Sequence, residues 1–331
     1  GQHKEMVYQV MNLFNLKIHN DLNIMKTQQS LTYITNSILK GLKDEFKKFK
    51  PEMVLVQGDT TSALSGALAA FYEGIPIGHV EAGLRTNNLN NPFPEEGNRR
   101  LISQIASLHF APTESSKINL LKSNVEGIIK VTGNTVIDSL SLISKEANIP
   151  KIIRFKLDTH RLIFVSVHRR ENWGDKLENI IKGLKLIIKK HENVLIFIPM
   201  HLNSIVRNPI LASFNDEPRV ILSEPLDYFE LVGTIKNSFL LLTDSGGLQE
   251  EAPSLRKPVL VLRDTTERPE AIDAGTAKLV GTNPEKILKE TTKLLLNNKL
   301  YKSMANATNP FGDGKASKRI LDICMDYLKL I

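Results

Sequence analysis

The sequence predicts an α/β protein built from two doubly wound, Rossmann-like domains facing a cleft. Three observations point there. Short β-branched apolar runs alternate with helical patterns along the chain; the alternation halts once at a polar, proline-punctuated stretch and restarts; and 331 residues exceed what one hydrophobic core normally holds. Internal repeats and low-complexity tracts, the marks of a solenoid, are absent from the sequence.

The elements follow in order. Leu31, Ile34, Ile38, Leu42, Phe46 and Phe49 recur at spacings of three and four, the buried stripe of a helix that stops near Pro51. Met53-Val54-Leu55-Val56 is a buried-strand pattern, and Gln57-Gly58-Asp59-Thr60-Thr61 turns it into a small-residue helix through Ala69 and Ala70. Ile77–Val80, Leu108–Ala111 and Ile128–Val131 read as further strands of one parallel sheet, apolar because helices cover both faces. The break falls at Ala147-Asn148-Ile149-Pro150. Leu162–Val167, Val194–Ile198, Phe239–Leu242 and Val259–Leu262 then build a second sheet. The expected domains are residues 1–140, completed by a C-terminal helix over 316–331, and residues 141–315.

Composition narrows the function. A formal net charge of +7 suits an anionic partner, a nucleotide diphosphate as readily as a nucleic acid. Segments such as Lys43-Asp44-Glu45-Phe46-Lys47-Lys48 mix both signs, as solvated helix faces do, so no nucleic-acid partner is expected. Cys324 is the sole cysteine, which excludes an intramolecular disulfide framework and a Cys-based zinc cluster and fits a reducing, cytoplasmic address. No apolar run approaches the roughly 18 to 20 residues needed to span a bilayer, and the first residues lack a signal-peptide layout. The histidines are scattered without metal-ligand spacing, and G-x-G-x-x-G is missing, so neither a metal nor a bound NAD is expected.

Ligands of doubly wound sheets bind beyond the carboxyl ends of the strands. Four predicted strand ends carry polar groups there: Asp59, Glu81, His168-Arg169-Arg170-Glu171, and Asp244-Ser245-Gly246-Gly247. Each has a plain alternative: Asp59 as a helix N-cap, Glu81 as a partner for Arg85, His168 as a core histidine, Gly246 as a turn residue. The last string opens a helix over Leu248–Leu255, so free N–H groups and the helix dipole suit a phosphate. Arg169, Arg170 and Arg268 offer forked partners for the same anion, and Glu251 could accept ribose hydroxyls. In the first domain Asp59, Glu81 and the pair Glu95-Glu96 supply carboxylates suited to proton transfer at carbon.

Seven strings, Gly58-Asp59-Thr60-Thr61, Gly78 to Thr86, Pro94-Glu95-Glu96-x-Asn98-Arg99, Thr132 to Thr135, His168 to Glu171, Thr243 to Pro253 and Arg263 to Glu270, together with Asn309 to Gly314, carry a resemblance over essentially the whole chain. In this order they resemble the non-hydrolysing UDP-N-acetylglucosamine 2-epimerases of bacteria. The resemblance implies a GT-B fold, a cytoplasmic homodimer without cofactor, and conversion of the UDP-sugar to UDP-N-acetylmannosamine for surface polysaccharides. It implies elimination and re-addition of UDP through a 2-acetamidoglucal. By position it makes Asp59, Glu81 and Glu95 acid and base candidates, with Arg99 as their charge partner. His168 joins that catalytic set at the diphosphate, where Arg169, Ser245, Gly246, Gly247 and Arg268 are also implied, and Glu251 is implied at the ribose. A second, allosteric substrate site is implied at Gln2, Gln29, Arg169 and His201, although Gln28 stands where relatives carry arginine. Members place a further strand-helix-strand unit, roughly 30 residues or more, with a Gly-Thr-Arg-Pro-Glu turn, ahead of the position of Gly1-Gln2-His3. The resemblance begins after it, which sets an inactive sugar-nucleotide-binding remnant, and a hydrolysing epimerase, beside the leading reading.

Overall fold

The computed structural model describes residues 8, 11–12, 14–26, 29–90, 92–154 and 156–330. The chain divides into two compact units, residues 1–135 with 315–331, and residues 136–314.

In unit 1, α1 (Leu31–Phe49) starts where the Ser30 side chain accepts the Tyr33 N–H and stops where Lys50 turns left-handed. Pro51 follows and cannot continue the helix. β1 (Val54–Gln57), β2 (Ile77–Val80), β3 (Leu108–Ala111) and β4 (Ile128–Val131) form a parallel sheet in the order β1-β2-β3-β4. Between them run α2 (Thr61–Tyr72), α3 (Glu95–Ile105) and α4 (Glu114–Lys122). Both faces of the central strands β2 and β3 are covered. Val56 and Ile77 pack with Ala63, Ala67, Ala70 and Ile102 on one side, while Val80, Leu108 and Phe110 pack with Ile320 and Cys324 of the C-terminal helix Ala316–Leu330 on the other. Each fully buried aliphatic side chain contributes about 1.5 to 3 kcal/mol.

In unit 2 a six-stranded parallel sheet has the order β10-β9-β8-β5-β6-β7. Its strands are β5 (Arg161–Ser166), β6 (Val194–Pro199), β7 (Val220–Ser223), β8 (Leu240–Thr243), β9 (Val259–Val261) and β10 (Ala277–Leu279). The order reverses between β5 and β8, the topological switch point of a doubly wound sheet. Sequence reasoning missed β7 and β10. The first is four residues long, and the second is three with Lys278 in the middle, too short for a periodicity to register. Among the described residues no helix is long and apolar enough to cross a membrane.

Candidate active site

The carboxyl ends of β1 and β2 carry the first cluster. Gly58 leaves β1 at φ 69°, a left-handed backbone that glycine adopts without strain. Its N–H donates to the Val80 carbonyl at 3.0 Å, and its own carbonyl accepts from His79 Nε2 at 2.8 Å. Asp59 comes next. Its carbonyl accepts from Asn98 Nδ2 at 2.9 Å and its carboxylate accepts from Arg99 Nη2 at 2.6 Å. The cap of α2 is Thr60, whose hydroxyl accepts the Ala63 N–H, so Asp59 is spared that role.

Glu81 follows β2 at φ 64°. A non-glycine residue there costs on the order of 1 to 3 kcal/mol and persists where its surroundings over-determine it, a pattern concentrated at functional sites. A Cβ on Gly58 would lie 3.6 Å from Glu81 Oε2, so the Glu81 carboxylate stands against the turn that carries Asp59. Arg85, the alternative partner for Glu81, donates instead to the Leu84 carbonyl and to Ser103 Oγ, at 2.8 and 3.1 Å.

The Glu95-Glu96 pair separates by burial. Glu95 is half-buried at the first residue of α3, whereas Glu96 is fully buried and binds Arg99 Nη1 at 3.2 Å, Arg100 Nε at 2.8 Å and the Thr86 N–H at 3.0 Å. Burial alone would raise its pKa, but the hydrogen bonds from Arg100 and Thr86 and the charge of Arg99 carry it below the ordinary carboxylate value. Arg99 thereby ties Asp59 to Glu96. Sequence reasoning passed over Glu96 as a partner although its spacing to Arg99 and Arg100, three and four residues along a helix, signalled the contact.

Unit 2 builds its cluster at the switch point. Asp244, fully buried after β8, accepts the His168 N–H with both oxygens at 3.1 Å, the Arg169 N–H at 3.0 Å and Asn172 Nδ2 at 2.9 Å. One carboxylate thus fixes the loop after β5. His168 is half-buried rather than a core residue. Burial pushes its pKa down, the Asp244 charge pulls it up, and Arg169 and His201 push it down again, with a net lowering. Its ring stacks on that of His201, with centroids 6.1 Å apart.

Gly246 opens a helix over Gly246–Ser254 rather than closing a turn, and Ser245 before it makes no side-chain cap hydrogen bond. A Cβ on Gly246 would meet Glu267 Oε1 at 3.0 Å and Arg169 Nη2 at 3.4 Å, so the Arg169–Glu267 pair, 3.1 Å, packs on the helix start. Arg263 holds Glu267 from the other side and binds Glu171 at 2.5 Å. Arg268 pairs with Glu250 of the same helix. Glu251 is buried and accepts the Tyr228 hydroxyl at 3.2 Å. Burial pushes its pKa up to about 7, against the Tyr228 hydrogen bond and with help from Glu250. Tyr228 carried no signal in the sequence.

The structure therefore gathers Asp59, Glu81 and Arg99 in unit 1 and His168, Arg169, His201, Ser245, Gly246, Gly247, Glu251 and Arg268 in unit 2. Gln29 makes local contacts in unit 1, to the Lys26 N–H at 3.1 Å and Met25 Sδ at 3.0 Å. Gln2 and Gln28 lie outside the described residues.

The chain thus consists of two parallel α/β units, one with paired strand-end carboxylates and the other with a glycine-opened helix at its switch point, an arrangement suited to an anionic ligand. A family profile for UDP-N-acetylglucosamine 2-epimerase matches residues 1–325. The UDP-N-acetylglucosamine 2-epimerase of Yersinia pestis is 50% identical over 331 aligned residues, 97% of this chain and 88% of that one. That of Escherichia coli K12 is 48% identical over the same coverage. The crystal structure of UDP-GlcNAc 2-epimerase from Neisseria meningitidis bound to UDP-GlcNAc superposes with a TM-score of 0.88 at 48% identity, covering 98% of this chain and 90% of that one. This chain belongs to the UDP-N-acetylglucosamine 2-epimerase family, in its bacterial, non-hydrolysing branch.

Proposed function

We propose that this chain epimerises UDP-N-acetylglucosamine at C2 to UDP-N-acetylmannosamine by eliminating and re-adding UDP. The observation that carries the reading is the paired carboxylates, Glu81 in a left-handed backbone against the Gly58 turn and Asp59 bound to Arg99. Carbon 2 has no neighbouring carbonyl, so its proton is poorly acidic. Breaking the bond from C1 to the phosphate oxygen solves this, because the oxocarbenium character at C1 makes the C2 proton removable. A carboxylate takes that proton, the electron pair forms the C1–C2 double bond of a 2-acetamidoglucal, and UDP departs with its charge. Delivery of a proton to the opposite face of C2 and return of the phosphate oxygen to C1 complete the exchange, so two groups must serve two faces. Asp59, Glu81 and Glu95 are the candidates, with Arg99 setting their charge.

Unit 2 supports the diphosphate half of the reading. His168, Ser245 and the N–H groups of Gly246 and Gly247 would meet the phosphates as they gain charge, with Arg169 and Arg268 as cationic partners and Glu251 at the ribose. Binding of uridine and phosphates would retain UDP while the sugar is unattached. On the same reading the protein works as a cytoplasmic homodimer, its product feeds surface polysaccharides, and Gln2, Gln29, Arg169 and His201 hold a second substrate molecule.

The test is incubation with UDP-N-acetylglucosamine alone in heavy water, followed by NMR. Expected are UDP-N-acetylmannosamine and deuterium at C2 of both sugar nucleotides. Free N-acetylmannosamine and UDP as the only products would replace the reading with a hydrolase, and unchanged substrate would refute it.

A further inference from the structure

His79 and His109 form a buried pair that the proposed reaction does not use. They are register partners on β2 and β3, both fully buried, and each ring uses Nε2 to bind a backbone carbonyl at 2.8 Å while its Nδ1 has no hydrogen-bond partner. A carbonyl only accepts, so each Nε2 carries the proton, and a buried Nδ1 with no acceptor for a second proton favours the neutral ring. Burial pushes His79 down to about 4, which keeps it neutral across the working range. The two differ in what they hold. His109 binds the Glu126 carbonyl, in the turn before β4; His79 binds Gly58, the residue before Asp59.

The carbonyl that His79 holds belongs to the peptide joining Gly58 to Asp59. At φ 69°, glycine offers little steric resistance to rotation of that peptide plane, so its orientation needs an external restraint. Three restraints converge on Asp59: the His79 ring on the peptide before it, Asn98 Nδ2 on the peptide after it, and Arg99 on its carboxylate. The Gly58 N–H is held by Val80, the residue after His79, so β2 clamps both sides of the glycine. Glu81, two residues beyond His79, stands against the same turn.

We infer that His79 is a positioning residue, fixing the Gly58–Asp59 peptide so that the Asp59 carboxylate meets the sugar in one orientation. This rests on the reading of Asp59 as an acid or base. A displacement of about 1 Å at such a group costs up to about 100-fold in rate, so the effect falls on turnover and leaves the binding of the uridine diphosphate moiety alone.

The experiment compares His79→Leu, His79→Gln, His79→Asn, His109→Leu and Asp59→Asn in the full chain. Glutamine places an amide N–H where Nε2 sits; asparagine is too short to reach. Expected for His79→Leu and His79→Asn is a kcat lower by about 10- to 100-fold with KM for UDP-N-acetylglucosamine within about threefold, and for His79→Gln recovery to within a few-fold of the parent. His109→Leu, which loses the same type of bond elsewhere, is expected to lower the melting temperature and leave kcat unchanged. If His79→Leu fails to fold, the glutamine and asparagine variants decide the matter. Equal kcat in those two variants, or an equal kcat loss in His109→Leu, overturns the inference. Full activity of Asp59→Asn would instead overturn the catalytic reading on which it rests.

Discussion

At the scale of single residues, burial sets the chemistry. Glu251 and Glu96 are both buried carboxylates, yet their pKa values move in opposite directions because only Glu96 has cations against it. For Glu251, the folded chain keeps a proton between the ordinary 4.5 and about 7 that the unfolded chain has released. Its contribution to stability therefore falls as pH rises through that window and levels off above it. Glu96 acts conversely, adding stability above the ordinary carboxylate value that is lost as pH falls through its lowered one. Urea unfolding of Glu251→Gln across pH 4.5 to 7.5 is expected to lack the parent's decline on the alkaline side. An identical pH dependence in the two proteins would refute the assignment. Asp244→Ala strands two backbone N–H donors and an asparagine amide, and is expected to cost about 3 kcal/mol of unfolding free energy. Loss of UDP affinity should accompany it, read by calorimetry. Asp244 and His168 could be picked out along the chain because they follow apolar runs, and Glu251 because it lies one turn into the helix that Asp244-Ser245-Gly246-Gly247 opens. What they bind could not, since Tyr228 and Asn172 sit 23 and 72 positions from their partners.

At the scale of elements, the strands were easy to read where both faces are buried. Ile77–Val80 and Leu108–Ala111 coincide with their apolar runs and are buried throughout, with His79 and His109 as their polar residues, whereas Ile128–Val131 coincides with its run although it is partly exposed and carries Lys130. The helix over Leu31–Phe49 was equally plain, bounded by Ser30 and Pro51. Side-chain traffic between elements was not: the tie from Arg99 to Asp59 depends on how α3 lies against the end of β1, which no local pattern encodes. The C-terminal helix returns to unit 1, where Ile320 and Cys324 cover Val80, Leu108 and Phe110. Ile320→Ala is expected to destabilise unit 1 by about 2 to 4 kcal/mol through the cavity it leaves. Hydrogen exchange of the β2 and β3 amides should report this as faster opening, while the amides of β5 and β8 keep their protection. Unchanged exchange in β2 and β3 would mean that the helix contributes little to that core.

At the scale of the whole molecule, the two units can be followed separately. Trp173, the sole tryptophan, lies in unit 2 just past the loop that Asp244 holds, with the Arg170 guanidinium 5.8 Å from its ring. Its fluorescence therefore reports unit 2, whereas circular dichroism averages both. UDP at about a hundredfold its Kd is expected to add about 2.7 kcal/mol to whatever unfolding step it opposes. The prediction is a shift in the tryptophan transition with UDP, abolished in Ser245→Ala,Gly246→Ala. A shift of equal size in that double variant would place the nucleotide elsewhere. His79, His109 and Glu96 all make unit 1 sensitive to acid, since two neutral buried imidazoles and one stabilised carboxylate each favour folding less as pH falls.

The carboxylate of Asp244 has a further consequence. Loops that bind phosphate often become ordered only when the anion arrives, and the ligand then bears an entropic penalty. Here the His168 and Arg169 amides already donate to a buried anion that never leaves. The loop is held in place by the protein's own negative charge, so nucleotide capture should proceed with a small loss of conformational entropy, in the manner of a rigid receptor.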